Sequence, residues 1–144
     1  QLLYSDENFS VPANVYIIGM MNTADRSLAM LDYALRRRFS FFTMKPGFNA
    51  PGFQAYQDSL KSDDFNKLIA CVKQLNSKIA EDISLGEGFC IGHSYFCSLT
   101  PETANTQTLS SIVEYELIPL LKEYWFDEPA NVIDWGDRLR SAVK

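Results

Sequence analysis

Three groups of residues in this 144-residue chain have the types and spacing to do chemistry. The first is Asn22-Thr23-Ala24-Asp25, which directly follows the apolar run Val15-Tyr16-Ile17-Ile18-Gly19-Met20-Met21. In open α/β sheets, ligands bind beyond the carboxyl ends of strands. A neutral amide placed there can donate to a phosphate oxygen and accept from an attacking water. The same residue types also make a plain turn with a helix cap. The second group is Arg36-Arg37-Arg38. Successive helical positions rotate around the axis, so the three cannot face one way. Guanidinium spreads phosphate charge well and can be supplied from a neighbouring subunit. The competing reading is dipole stabilisation at a helix end with surface ion pairs. The third is His93 in Ile91-Gly92-His93-Ser94-Tyr95-Phe96, where Gly92 ahead of a possible helix start can offer backbone N–H groups to an anion. A hydrogen-bonded structural histidine is the alternative.

Other chemistries are excluded. No G-x-S-x-G elbow exists, and no acid is placed to complete a triad with His93 and Ser94. The glycines are Gly19, Gly47, Gly52, Gly86, Gly88, Gly92 and Gly136, and none opens a GxxxxGK(S/T) phosphate loop. No apolar strand ends in Asp-Glu, so no magnesium-holding acidic pair follows a strand. Cys71, Cys90 and Cys97 form no CxxC pair, and the single His gives no second ligand, so no metal site is expected. Their odd number fits reduced thiols in a cytosolic protein. With 13 Lys and Arg against 18 Asp and Glu, the net charge of −5 argues against coating nucleic acid by charge alone. An aromatic share of 13% argues against a disordered acidic tail. No apolar run approaches the ~18 residues of a membrane span, and Gln1 to Ser10 is no secretory signal. The first residue is not Met, so the chain is expected to be a piece of a longer one.

The elements that must position these groups follow from periodicity. Val15 to Met21 reads as a buried strand. Ser27 to Arg37 carries Leu28, Met30, Leu31, Ala34 and Leu35 at helical spacing, and Phe39 to Met44 is a second strand candidate. Strand, helix, strand is an α/β unit. Pro46-Gly47 and Pro51-Gly52 mark a boundary, and the chain beyond looks helical. Phe65, Leu68, Ile69, Val72, Leu75, Ile79 and Ile83 share one helical face, with Ser62 or Asp63 as cap and Gly86 as stop. Thr108 to Phe126 is a second amphipathic helix in which Pro119 must kink the helix or start a new one. Asn131 to Val143 is a terminal helix with Ile133, Trp135 and Leu139 as contacts. The fold class is α/β plus all-α, divided at residues 1–45 and 46–144.

The runs VYIIGMMNTADRSLAMLDYALRRRFSF, GFCIGHSYF and IPLLKEYWFDEP resemble, in order and over nearly the whole chain, the McrB family of AAA+ GTPase subunits from methylation-dependent restriction systems. The resemblance implies the C-terminal piece of a AAA+ P-loop core, with two strands and a helix, followed by a helical lid from about Pro46. It implies that Asn22 is the sensor 1 residue reading the terminal phosphate. Asp25 would hold that loop, through Arg26 or a neighbour's arginine, and Arg37 or Arg38 would be the arginine finger reaching the adjacent subunit's site. Gly92 and His93 would form the sensor 2 region facing nucleotide. The family pattern has a basic residue just before IGHSYF; this chain has Cys90 there.

The resemblance further implies GTP (or ATP) and magnesium, gripped mainly by segments outside this chain, which alone should not hydrolyse nucleotide. It implies a hexameric ring of identical subunits, a McrC-like endonuclease partner, DNA engaged through the full complex, no membrane, and a cytoplasmic location. In the family the P-loop strand lies between the two strands expected here. The two are therefore expected to pair with each other, to swap with another copy, or to leave Gln1 to Met44 loosely ordered. Two rivals remain: a helical interaction module without nucleotide chemistry, and an ATPase of a dynein-like, midasin-like or MoxR-like AAA+ branch.

Overall fold

A computed structural model describes residues 10–22 and 33–144 of the chain, which falls into two units, Gln1–Met30 and Leu31–Lys144. In the first unit, a turn at Ala13 and Asn14 is closed by the Val15 N–H donating to the Pro12 carbonyl at 3.1 Å. Residues 15–22 then run without regular secondary structure. Their side chains are exposed, Ile18 by 91% and Met20 by 98%, where the apolar run predicts a buried strand. The second predicted strand, Phe39 to Met44, is likewise irregular, with Phe42 and Met44 exposed. Among the described residues, then, neither expected strand forms. An extended segment holds its conformation only when its N–H and C=O groups join a ladder and its side chains meet a covered face. Neither condition is met here. Of the helix predicted over Ser27 to Arg37, the described part is α1, Tyr33–Arg36.

From Phe48 onward the sequence makes its own core. Helix α2 (Pro51–Leu60) begins at a proline, whose missing N–H falls where no intrahelical acceptor exists. It ends at Lys61, in the left-handed region at φ 49°. Ser62 then caps α3 (Asp63–Glu81), its Oγ accepting the Phe65 N–H and donating to the Ala104 carbonyl at 2.9 Å. Asp63 and Asp64 in the first turn and Lys78 in the last complement the helix dipole. Phe65, Leu68, Ile69, Val72, Leu75 and Ile79 are all buried on one face. Gly86, at φ 85°, turns the chain so that its N–H reaches the Ile79 carbonyl at 3.2 Å. The expected cap and face are thus in place, but the helix stops at Glu81 with Asp82 as its cap, ahead of the expected stop at Gly86, so Ile83 lies past the helix end and is fully exposed.

Two short 3-10 turns follow, Glu87–Phe89 and His93–Phe96. Helix α4 (Thr106–Ile112) is capped by Asn105, and α5 is Ile118–Tyr124. Pro119 has no N–H for the carbonyl one turn back. The interruption takes the form of a π turn, Val113–Leu117, in which the Ile118 N–H donates to the Val113 carbonyl. Backbone angles stay helical at both ends of this turn, so the chain widens there rather than breaking. Helix α6 (Pro129–Ala142) buries Trp135, Gly136 and Leu139. Ile133, expected among its contacts, is 64% exposed, one position off the stripe of Val132, Trp135, Gly136 and Leu139. α3 packs against α4, α6 and the Glu87–Phe89 turn, and α5 packs against α6. No helix among the described residues is long and apolar enough to cross a membrane.

One polar contact ties the end of α3 to the end of α5. The Trp125 indole Nε1–H donates to Asp82 Oδ2 at 2.9 Å, and Asp82 Oδ1 accepts the Ser84 N–H at 2.8 Å. The Trp125 bond, with help from the Ser84 and Leu85 amides, holds the Asp82 carboxyl below the ordinary carboxylate range. A depressed carboxyl pKa stabilises the fold above the unfolded value and loses that contribution as pH falls through the folded value. We therefore expect Asp82→Asn to flatten the loss of stability below about pH 4, measured as urea midpoints from pH 2 to 7. An acid limb identical to wild type would show that the bond carries no linkage.

Candidate functional site and family membership

Asn22 lies in the first unit, exposed and outside any regular element. Asp25 and Arg26 lie outside the described residues. Arg37 and Arg38 follow α1 directly in the second unit, and both are exposed. Arg36 stacks toward Phe41, its guanidinium carbon 5.7 Å from the ring centroid. Arg36 thus covers an aromatic ring, and Arg37 and Arg38 follow at the helix end.

The Gly92–His93 segment is bound into the helical unit through its neighbours. Asn76 of α3 pairs with Ile91 as a strand would: its amide NH2 donates to the Ile91 carbonyl at 2.9 Å, and its oxygen accepts the Ile91 N–H at 2.7 Å. Ile91 itself is buried. Next to it, His93 Nδ1 accepts the Gly47 N–H at 2.9 Å. The imidazole stands edge-on to Phe53 and Phe48, with centroids 5.7 and 6.1 Å away. A Cβ on Gly47 would lie 2.9 Å from His93 Cε1, so glycine is required there by close approach. Tyr56 secures the far end of the segment: its hydroxyl lies 2.7 and 2.9 Å from the Phe96 and Leu99 carbonyls and accepts the Leu99 N–H at 3.0 Å.

Burial first, and then the Glu87 charge, push the Cys90 thiol pKa up, which disfavours the thiolate. Burial likewise pushes the neighbouring Tyr124 hydroxyl up to about 12. Among the described residues no group of three or more His, Cys, Asp or Glu could hold a metal ion. A depression of about 220 Å³ beside the π turn, crossed by the bidentate Arg140–Glu114 pair at 2.5 and 3.0 Å, includes none of the residues expected to act. Gly47, Asn76 and Tyr56 were not legible as site-builders. Their partners lie 15 to 46 positions away, and no local pattern marks such pairs.

Residues 67–133 match the model of the McrB alpha-helical lid domain. Over 146 aligned residues, 96% of this chain, the sequence is 49% identical to the type IV methyl-directed restriction enzyme EcoKMcrB subunit of Escherichia coli. The chain carries a McrB alpha-helical lid domain. It is also 32% identical, over 58% of its length, to the type II restriction enzyme BsuMI component YdiS of Bacillus subtilis. It spans 32% of the Escherichia coli relative and the alignment spans 26% of the Bacillus one. The McrB lid match runs from α3 into α6, so Asn76, Ile91, Gly92 and His93 are lid residues.

Proposed function

We propose that this chain is the C-terminal part of a AAA+ module in a McrB-like NTPase, which hydrolyses GTP to drive DNA translocation and restriction of modified DNA in the cytoplasm. The observation that carries this reading is the colinear 49% identity to a methyl-directed restriction subunit across 96% of the chain. That identity spans MNTADRS and ALRRRF as well as the lid. In this reading Asn22 orients the attacking water against the terminal phosphate. Asp25 and Arg26 hold its loop. Arg37 or Arg38 enters the nucleotide site of the next subunit in a hexameric ring. Gly92 and His93 face nucleotide from the lid. The Gly47 bond leaves the neutral imidazole's proton on Nε2, a donor suited to a phosphate oxygen. A magnesium ion would supply charge neutralisation there, held by residues other than those named above. A McrC-like endonuclease completes the complex, and this chain alone does not turn over nucleotide.

The test uses the longer protein with Asn22→Ala, reading GTP and ATP turnover separately from ring assembly. Removing one preorganised polar contact to a transition state costs about 10²–10³ in kcat, and assembly should be retained. Wild-type turnover in Ala variants at Asn22, Arg37 and Arg38 alike would remove these residues from the mechanism.

A further inference from the structure

The stretch Lys45–Asn49 joins the arginine-bearing residues to the lid, and four contacts dock it onto separate parts of the lid. Lys45 Nζ meets Glu87 at 3.2 Å on one 3-10 turn. The Gly47 N–H meets His93 Nδ1 at 2.9 Å on the other. Phe48 is 3% exposed and packs edge-on against Phe53 of α2 at 5.3 Å. Asn49 Oδ1 accepts from Lys73 Nζ of α3 at 2.9 Å. Just before Lys45, residues 40–44 are exposed and irregular.

We propose that His93 is a positioning residue that fastens the Lys45–Asn49 linker to the lid, so that the pivot between the lid and the arginine-bearing stretch lies before Lys45.

Pro46-Gly47 looks like a hinge by residue type, yet the structure makes it the tightest point of the linker. The Lys45 and Lys73 contacts are exposed and tolerate rearrangement. Burying Phe48 anchors the linker but sets no direction, because hydrophobic contact is non-directional. The Gly47–His93 bond is part-buried and directional. It is also sterically exclusive, since a Cβ at position 47 would press on the ring. A backbone N–H has only its proton to offer, so Nδ1 must be the bare nitrogen and Nε2 the protonated one. The linker thereby fixes the imidazole's tautomer, and the imidazole fixes where the linker sits.

Residue-resolved amide exchange on the 144-residue chain, with nitrogen-resolved NMR of the imidazole, tests this. In wild type, protection should begin sharply at Gly47 with residues 40–44 exchanging freely, and His93 should be the Nε2–H tautomer. His93→Ala should speed exchange at Gly47 about tenfold or more while Leu68 to Ile79 keep their protection. His93→Asn should restore most of it, because Asn Oδ1 can stand where Nδ1 stood. Gly47→Ala, whose Cβ would press on the imidazole and part it from the linker N–H, should shift His93 toward a mixture of tautomers. Exchange at Gly47 as fast as at residues 40–44 in wild type would overturn the proposal. So would equal Gly47 exchange in wild type and His93→Ala, or a tautomer unmoved by Gly47→Ala.

Discussion

Replacing whichever of Arg37 and Arg38 is the finger by Ala, in the longer protein, is expected to lower nucleotide turnover by about 10³ or more. The other arginine should cost far less. Phosphoryl transfer spreads charge over the equatorial oxygens of the transferred group, and a guanidinium delivered to it stabilises the transition state more than the ground state. Both side chains are exposed just after α1, and these are the two positions that the family resemblance implies for the finger. A finger acts on the neighbour's nucleotide, so the decisive measurement mixes subunits. One variant lacks the finger and keeps its own nucleotide grip; the second keeps the finger and lacks the grip. Neither turns over nucleotide alone. Mixed rings should regain activity wherever the first variant's grip faces the second's arginine. Lys in place of the finger should recover little, since an ammonium is a point charge without the planar fork. Mixed rings as inactive as their parents would place the arginine in its own subunit's site, or outside the chemistry.

Parts of this molecule were legible because their cause is local. The Ser62 cap and the six-residue buried face of α3 follow from rules spanning a single turn. So does the extent of α6, although reading Ile133 as a contact took one residue too many into its stripe. The two strands stay unconfirmed for the opposite reason. Val15 to Met21 has the β-branched apolarity of a buried strand, but burial is a property of two faces and a ladder, and the sequence shows only one side of each. Pro119 announced an interruption without saying which kind, because a missing N–H can be absorbed by a kink, a new start or a wide turn. At the site, residue type singled out Asn22, Arg37, Arg38 and His93, while Gly47 was read only as punctuation. What joins Gly47 to His93 is 46 residues of intervening fold.

The lid's stability should hang on its centre, and Phe65→Ala is expected to cost about 3–5 kcal/mol. Phe65 is 0% exposed in the first turn of α3, and its ring meets Tyr56 at 6.4 Å and Phe96 at 6.1 Å, both edge-on. It therefore sits between α2, α3 and the end of the Ile91–Phe96 segment. Truncation removes transfer free energy, leaves a cavity, and deletes two aromatic contacts of about 0.5–1.5 kcal/mol each. Collapse into that cavity is restricted on two sides. Tyr56 is held by its hydroxyl on Phe96 and Leu99, and the cap bond from the Phe65 N–H to Ser62 keeps the backbone in place. Small domains are stable by only about 5–15 kcal/mol, so the variant should lose much of its cooperative transition in urea, read by helical circular dichroism. Ile83→Ala and Ile133→Ala remove apolar carbons from exposed positions and should stay within about 0.5 kcal/mol of wild type. Equal losses in the three variants would mean that the lid is held by something other than the packing of α3.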